Sequence, residues 1–118
     1  MKVVYVAGPY RATTEYGIKT NIRNAEELAI KVWQAGAACI CPHLNSAFLG
    51  GVIEDNGWLR GDLEIIRRCD ALLLVPNWEN SVGTRGEVDL AMSIGLPVFE
   101  RVGQLLDWLD SSKRCSEK

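Results

Sequence analysis

The stretch "DALLLVPNWENSVGTRGEVDLAMSIGLPVFE", Asp70 to Glu100, decides the fold. Its opening segment, Asp70–Pro76, is an almost unbroken apolar run that stops at proline. Such a run suits a strand buried on both faces of a parallel sheet. A loop of small and polar residues follows. Helical spacing then begins at Thr84 and ends at Gly95, a residue suited to stopping a helix. Leu96–Glu100 begins another apolar run. Two strands separated by a whole helix predict a parallel pair, because an antiparallel pair needs only a tight hairpin.

The same alternation continues outward. Lys2–Ala7, "KVVYVA", is a β-branched run broken by Gly8 and Pro9. Asn21–Gly36 has helical spacing. Ile22, Ala25, Leu28, Ala29, Val32 and Trp33 share one stripe, and Glu26, Glu27 and Lys31 face away. Asn21 is placed to cap its start and Gly36 its end. Ala37–Pro42 reads as a second strand, followed by a Gly- and Asn-rich loop through Phe48 to Gly57. Trp58–Cys69 reads as a second helix striped by Leu59, Leu63 and Ile66. Gly103–Asp110 closes the pattern, and residues 111–118 read as a frayed tail. The expectation is one Rossmann-like, flavodoxin-like α/β domain. It has four to five parallel strands and helices on both faces.

Composition narrows the classes of function. The chain has 118 residues, 47% apolar and 24% charged, with a formal net charge of -2. It offers no basic field for nucleic acid. Its apolar runs are too short for a membrane span, and no signal-peptide pattern opens the chain, so a cytoplasmic location is expected. The four cysteines are then expected as thiols, with Cys39 and Cys41 on one buried strand face. One histidine in the chain argues against a structural metal site.

In doubly wound sheets, ligands bind outside the carboxyl ends of the strands. Those ends are "AGPYR", "CPHLN", "PNWENSVGTRGE" and "FERVG". Gly8 allows close backbone approach and Arg11 offers a planar donor fork for phosphate, although these residues taken alone read first as a plain turn with a solvated Arg. Tyr5, among valines, needs a partner for its hydroxyl, and a backbone carbonyl is the simplest. His43 is the only imidazole, and a lone His at a strand end reads first as structural, although it stands at the ligand edge. Asp62, placed early in the second predicted helix, can complement the helix dipole or act as an acid. Glu87 follows Ser81, Gly83, Thr84 and Gly86 at a helix start. Thr84-x-x-Glu87 also spells a capping box. Two carboxylates in one cleft can break a glycosidic bond, one attacking or stabilising the anomeric carbon, the other protonating the leaving group.

Four segments taken together, "VYVAGPYR", "CPHLN", "RGDLEIIRRCDALLLVPNW" and "NSVGTRGEVDLAMSIGLPVF", resemble the nucleoside 2-deoxyribosyltransferase-like superfamily. The likeness is nearest to its short bacterial and phage members, related to the 2'-deoxynucleoside 5'-monophosphate N-glycosidases. The resemblance implies cleavage or transfer at an N-glycosidic bond. It implies Glu87 as nucleophile, Asp62 as acid, and Tyr5 as the hydroxyl that orients Glu87. It implies substrate or phosphate contacts at Gly8, Pro9, Arg11 and Ser81. His43 and Gly83, at the same strand ends, are expected to join them. It further implies a nucleoside or nucleotide as partner, no cofactor, and a homodimer or larger oligomer with shared sites.

Other readings stand beside it. The same loops suit a nucleotide sensor without turnover, in which Glu87 is only a cap. Gly83-Thr84-x-x-Glu87 also resembles the G-T-x-x-E element of phosphoribohydrolases that release cytokinin-type bases, without their second glycine-rich, Arg-containing segment. A structural or interaction module would use tryptophan at an interface. Trp33 and Trp108 are expected in the core, and Trp58 and Trp78 beside the cleft.

Overall fold

β1 (Val3–Ala7), β2 (Ala38–Ile40), β3 (Ala71–Leu74) and β4 (Val98–Phe99) form one sheet in the order β2-β1-β3-β4. Every pairing is parallel. The structure, a computed structural model, describes residues 1–45, 49 and 51–116, with backbone alone at 45, 55 and 113–116. Phe48 in the expected loop, the side chain of Cys115 and the last two residues of the expected tail lie outside them. The helices are α1 (Glu15–Gln34), α2 (Pro42–Asn45), α3 (Asp55–Arg67), α4 (Val82–Ser93) and α5 (Val102–Ser116). A short 3-10 turn, Trp78–Asn80, precedes α4.

The side-chain period of two sorts the sheet into two cores. Val4, Val6, Leu73 and Val75 pack with Ala25, Ala29 and Val32 of α1 and Leu105 and Leu109 of α5. Tyr5, Ala7, Leu72 and Leu74 pack on the opposite face with Ile66 of α3 and Val88 and Ala91 of α4. Helices therefore cover both faces, as the Rossmann-like pattern requires. Cys39 and Cys41 lie together in the first core, and Cys39, Cys41 and Cys69 are free thiols. The chain steps from β1 to β2, then back across β1 to β3. The winding reverses between β1 and β3, which opens a crevice at their carboxyl ends.

Several boundaries differ from the sequence reading, each for a local reason. α1 begins at Glu15 because the Thr14 hydroxyl accepts from the Gly17 amide at 3.0 Å. Asn21 therefore caps nothing and sits inside the helix. β2 is short because Pro42 opens α2, proline being well placed at a first helical position. α3 starts at Asp55, ahead of Trp58. α5 continues to Ser116, through residues expected to fray. Trp33 is 57% exposed rather than buried. The α1 stripe is centred on Ala25, Ala29 and Val32, and Trp33 lies one position further round the helix. Trp108 does pack against the first core, its ring 5.5 Å from that of Phe99.

Two glycines test the packing from opposite sides. A Cβ on Gly8 would lie 2.5 Å from the Val75 Cβ, so β1 can leave the sheet here only with a glycine. A Cβ on Gly61, exposed within α3, would meet nothing within 4 Å. Gly8→Ala is expected to lower unfolding free energy by about 1–3 kcal/mol through overpacking. Gly61→Ala is expected to raise it by up to about 1 kcal/mol, because alanine favours helix. Chemical denaturation of both variants checks the pair.

Candidate active site

β1 delivers Tyr5 to the face that α4 covers, and α4 delivers Glu87 to meet it. The Tyr5 hydroxyl donates to Glu87 Oε2, across most of the length of the chain. Tyr5 is fully buried and Glu87 is 8% exposed. The tyrosine therefore binds a carboxylate and not a backbone carbonyl. The capping-box reading of Glu87 also fails. The cap of α4 is Ser81, whose Oγ accepts from the Thr84 amide at 3.2 Å. Thr84 is buried within the first turn and Glu87 lies a turn further in, turned toward the sheet. Gly83 likewise belongs to α4 and not to the loop before it, so the helix starts two residues ahead of the expected Thr84.

Above this pair opens a cleft of about 680 Å³. Its volume is that of small-molecule sites generally. Tyr5, Asp62 and Glu87 line it, and so do Gly8, Pro9, Arg11, His43, Ser81 and Gly83. The fold thus brings these nine candidate site residues to one cavity. Asp62 stands about two turns inside α3, too deep to serve the helix dipole as its predicted place near the helix start implied. Trp58 lines the cleft, whereas Trp78 packs against the core beneath α3 and α4. Tyr10, Asn56 and Asn80 also line it and escaped the sequence reading. The two asparagines sit in or beside helix starts, where an amide reads first as turn chemistry.

Burial sets the electrostatics. Desolvation raises Glu87 to a pKa of about 7, the Asp62 charge adds to the rise, and the Tyr5 hydrogen bond opposes it. Desolvation raises Asp62 to about 6. The Tyr5 hydroxyl is pushed up by burial, then by the Glu87 charge, so it stays a donor. The Asp62 charge reaches Glu87, so ionising one carboxyl makes the other somewhat harder to ionise. Burial of His43 lowers its pKa, although the Pro9 and Gly8 carbonyls pull the other way. Among the described residues no group of three or more His, Cys, Asp or Glu could hold a metal ion. No helix among them is long and apolar enough to cross a membrane.

Residues 2–100 match the family described as a domain of unknown function, DUF4406. The chain belongs to that family. Among solved structures it is similar to a 2-deoxyribosyltransferase of Bacillus psychrosaccharolyticus, with 21% identity and a TM-score of 0.59, covering 81% of this chain and 69% of that one. It is also similar to a conserved protein of Enterococcus faecalis V583, with 21% identity and a TM-score of 0.65, covering 83% of this chain and 61% of that one. A comparison with curated proteins returned no match. The DUF4406 chain thus shares its fold with these two structures, and spans somewhat over three-fifths of the Enterococcus chain.

Raised carboxyl pKa values make the folded domain the tighter proton binder between pH about 4.5 and 7. Stability is therefore lost as pH rises through that window, and the loss is complete above it. Glu87→Gln removes the buried charge and keeps an oxygen for Tyr5. It is expected to raise Tm at pH 8, by an amount on the order of 3 kcal/mol in stability, and to do so progressively less toward pH 5. Thermal unfolding of both proteins across that range checks it.

Proposed function

We propose that this domain cleaves or transfers at the N-glycosidic bond of a nucleoside or nucleoside 5'-monophosphate, through a glycosyl ester on Glu87. The observation that carries the reading is the buried Glu87 carboxylate held by the Tyr5 hydroxyl in a cleft that Asp62 shares. The superfamily fold, one of whose members is a 2-deoxyribosyltransferase, agrees with it.

The chemistry follows from the pair. Between pH about 6 and 7 the two carboxyls hold about one proton between them. The reactive arrangement is the minor one, because the higher Glu87 value puts the proton mostly there. With the proton on Asp62 instead, Glu87 is an anion whose Oε1 is free of Tyr5. A Glu87 oxygen bonds to the anomeric carbon as the carbon–nitrogen bond breaks. The electron pair leaves on the base, which takes the proton from Asp62. The carboxylate opposes the positive charge of the oxocarbenium-like transition state. Asp62, now ionised, then takes a proton from water, or from an incoming base, as that group displaces Glu87. Water gives hydrolysis and a base gives transfer.

The rest of the cleft supports a phosphorylated substrate. Arg11 supplies a cationic fork. Ser81 accepts from the Thr84 amide and so keeps its own O–H as a donor. The amino end of α4 adds a positive dipole end near it. Leu59 and Val82 leave apolar surface on the cleft, 40% and 74% exposed, as a homo-oligomer with shared sites would require.

Base release from ribo- and deoxyribonucleosides and their 5'-monophosphates, followed by liquid chromatography, tests the reading. Glu87→Ala is expected to lose about a thousandfold or more of the rate. Asp62→Asn should lose about a hundredfold or more, and less on substrates whose base departs without protonation. The wild-type rate should be bell-shaped, with its maximum between pH about 6 and 7, where one carboxyl is ionised and the other is not. Full activity in Glu87→Ala would refute the assignment.

A further inference from the structure

Two side chains hold three successive carbonyls of the loop between β1 and α1. His43 Nε2 lies 2.7 Å from the Pro9 carbonyl oxygen. Asn21 Nδ2 donates to the Tyr10 carbonyl at 3.1 Å and reaches that of Arg11 at 3.4 Å. A carbonyl only accepts, so His43 carries its proton on Nε2. The other ring nitrogen, Nδ1, is buried with no hydrogen-bond partner among the described residues. His43 is 5% exposed, and the Tyr10 ring meets it edge-on at 5.6 Å.

The loop is fixed from the opposite side as well. Gly8 is pressed onto Val75 so closely that a Cβ would collide. No peptide bond in the described chain is cis. In a trans peptide the N–H opposes the C=O. Holding the Pro9, Tyr10 and Arg11 carbonyls therefore fixes the direction of the Tyr10, Arg11 and Ala12 amides. This is the part of the cleft wall that carries Arg11. None of these contacts reaches Glu87 or Asp62, so they do no chemistry themselves.

We propose that His43 is a positioning residue: by donating from Nε2 to the Pro9 carbonyl it holds the Gly8–Arg11 loop as a preset wall for the anionic end of a sugar phosphate. Asn21 extends the hold to the next two peptides. The inference rests on the phosphorylated-substrate reading above and deepens it. Preorganisation of this kind acts on binding, because the loop need not be ordered when the ligand arrives.

Kinetics separate positioning from a merely structural role. His43→Ala is expected to raise KM for a nucleoside 5'-monophosphate about tenfold, with kcat essentially unchanged. The KM of the matching unphosphorylated nucleoside should hardly move. His43→Gln, whose amide can donate from nearly the same place, should restore most of the loss. Asn21→Ala should act in the same direction more weakly. Equal losses with and without phosphate, a loss confined to kcat, or an unchanged KM in folded His43→Ala would overturn the proposal.

A second measurement decides the matter without turnover. His43 is the only histidine, so its ring nitrogens need no assignment in nitrogen-15 spectra. The wild-type chain should show the proton on Nε2 and a bare Nδ1. Addition of 2-deoxyribose 5-phosphate should shift the Tyr10, Arg11 and Ala12 amides, and in His43→Ala it should do so only at higher concentration. A proton on Nδ1, or no such shifts, would overturn it even if His43→Ala fails to fold. Absence of base release from every nucleotide would defeat the glycosidic reading while leaving these spectra to judge the loop.

Discussion

One hydrogen bond organises this molecule: the Tyr5 hydroxyl donating to the Glu87 carboxylate. Each partner is buried where neither belongs alone. An ionised carboxylate inside a core is costly unless paired and hydrogen-bonded, and a buried hydroxyl also needs a partner. Their meeting requires that β1 turn odd-numbered residues toward α4, and that α4 begin early enough to put Glu87 one turn inside. The Ser81 cap sets that start. The parallel register of β1 with β3, Tyr5 beside Leu72, fixes the height of the tyrosine in the sheet.

The cleft follows from the winding. Reversal of the winding between the parallel strands β1 and β3 leaves a gap at their carboxyl ends that no crossover helix covers. Gly8 lets β1 turn away there against Val75, and α3 and α4 wall the gap with Asp62 and Glu87. The same burial that makes the carboxylates hard to ionise tunes them toward neutrality, where a nucleophile and an acid can coexist. Some stability is surrendered for that arrangement, as at functional sites generally.

The sequence displayed most of this. β1 and β3 were legible as unbroken apolar runs, and the helices as stripes, because the two periods differ so plainly. The starts of the helices were less legible. Thr14 caps α1 from outside the apolar stripe, and Asn21, the better-looking cap, serves the loop carbonyls instead. Thr84-x-x-Glu87 had the spacing of a capping box, yet the cap lay one turn earlier. Local spacing cannot reveal that a side chain is claimed by a tertiary partner many residues away. For the same reason the pairing of Tyr5 with Glu87 came only from family resemblance, and the clamp of His43 on Pro9 from nothing in the sequence. Trp33 shows the converse limit, since a stripe defines a face only to within one position.

The central claim is that Glu87 becomes bonded to the sugar. A 2'-fluoro-substituted nucleoside or nucleoside monophosphate slows breakdown of a glycosyl ester by destabilising the oxocarbenium-like transition state. The decisive measurement is the intact mass of the protein after incubation with such a compound, followed by peptide mapping. The account predicts a mass gain equal to the fluorinated sugar or sugar phosphate, located on Glu87 and absent from Glu87→Gln. An adduct on another residue, or base release from that compound with no adduct formed, would contradict it.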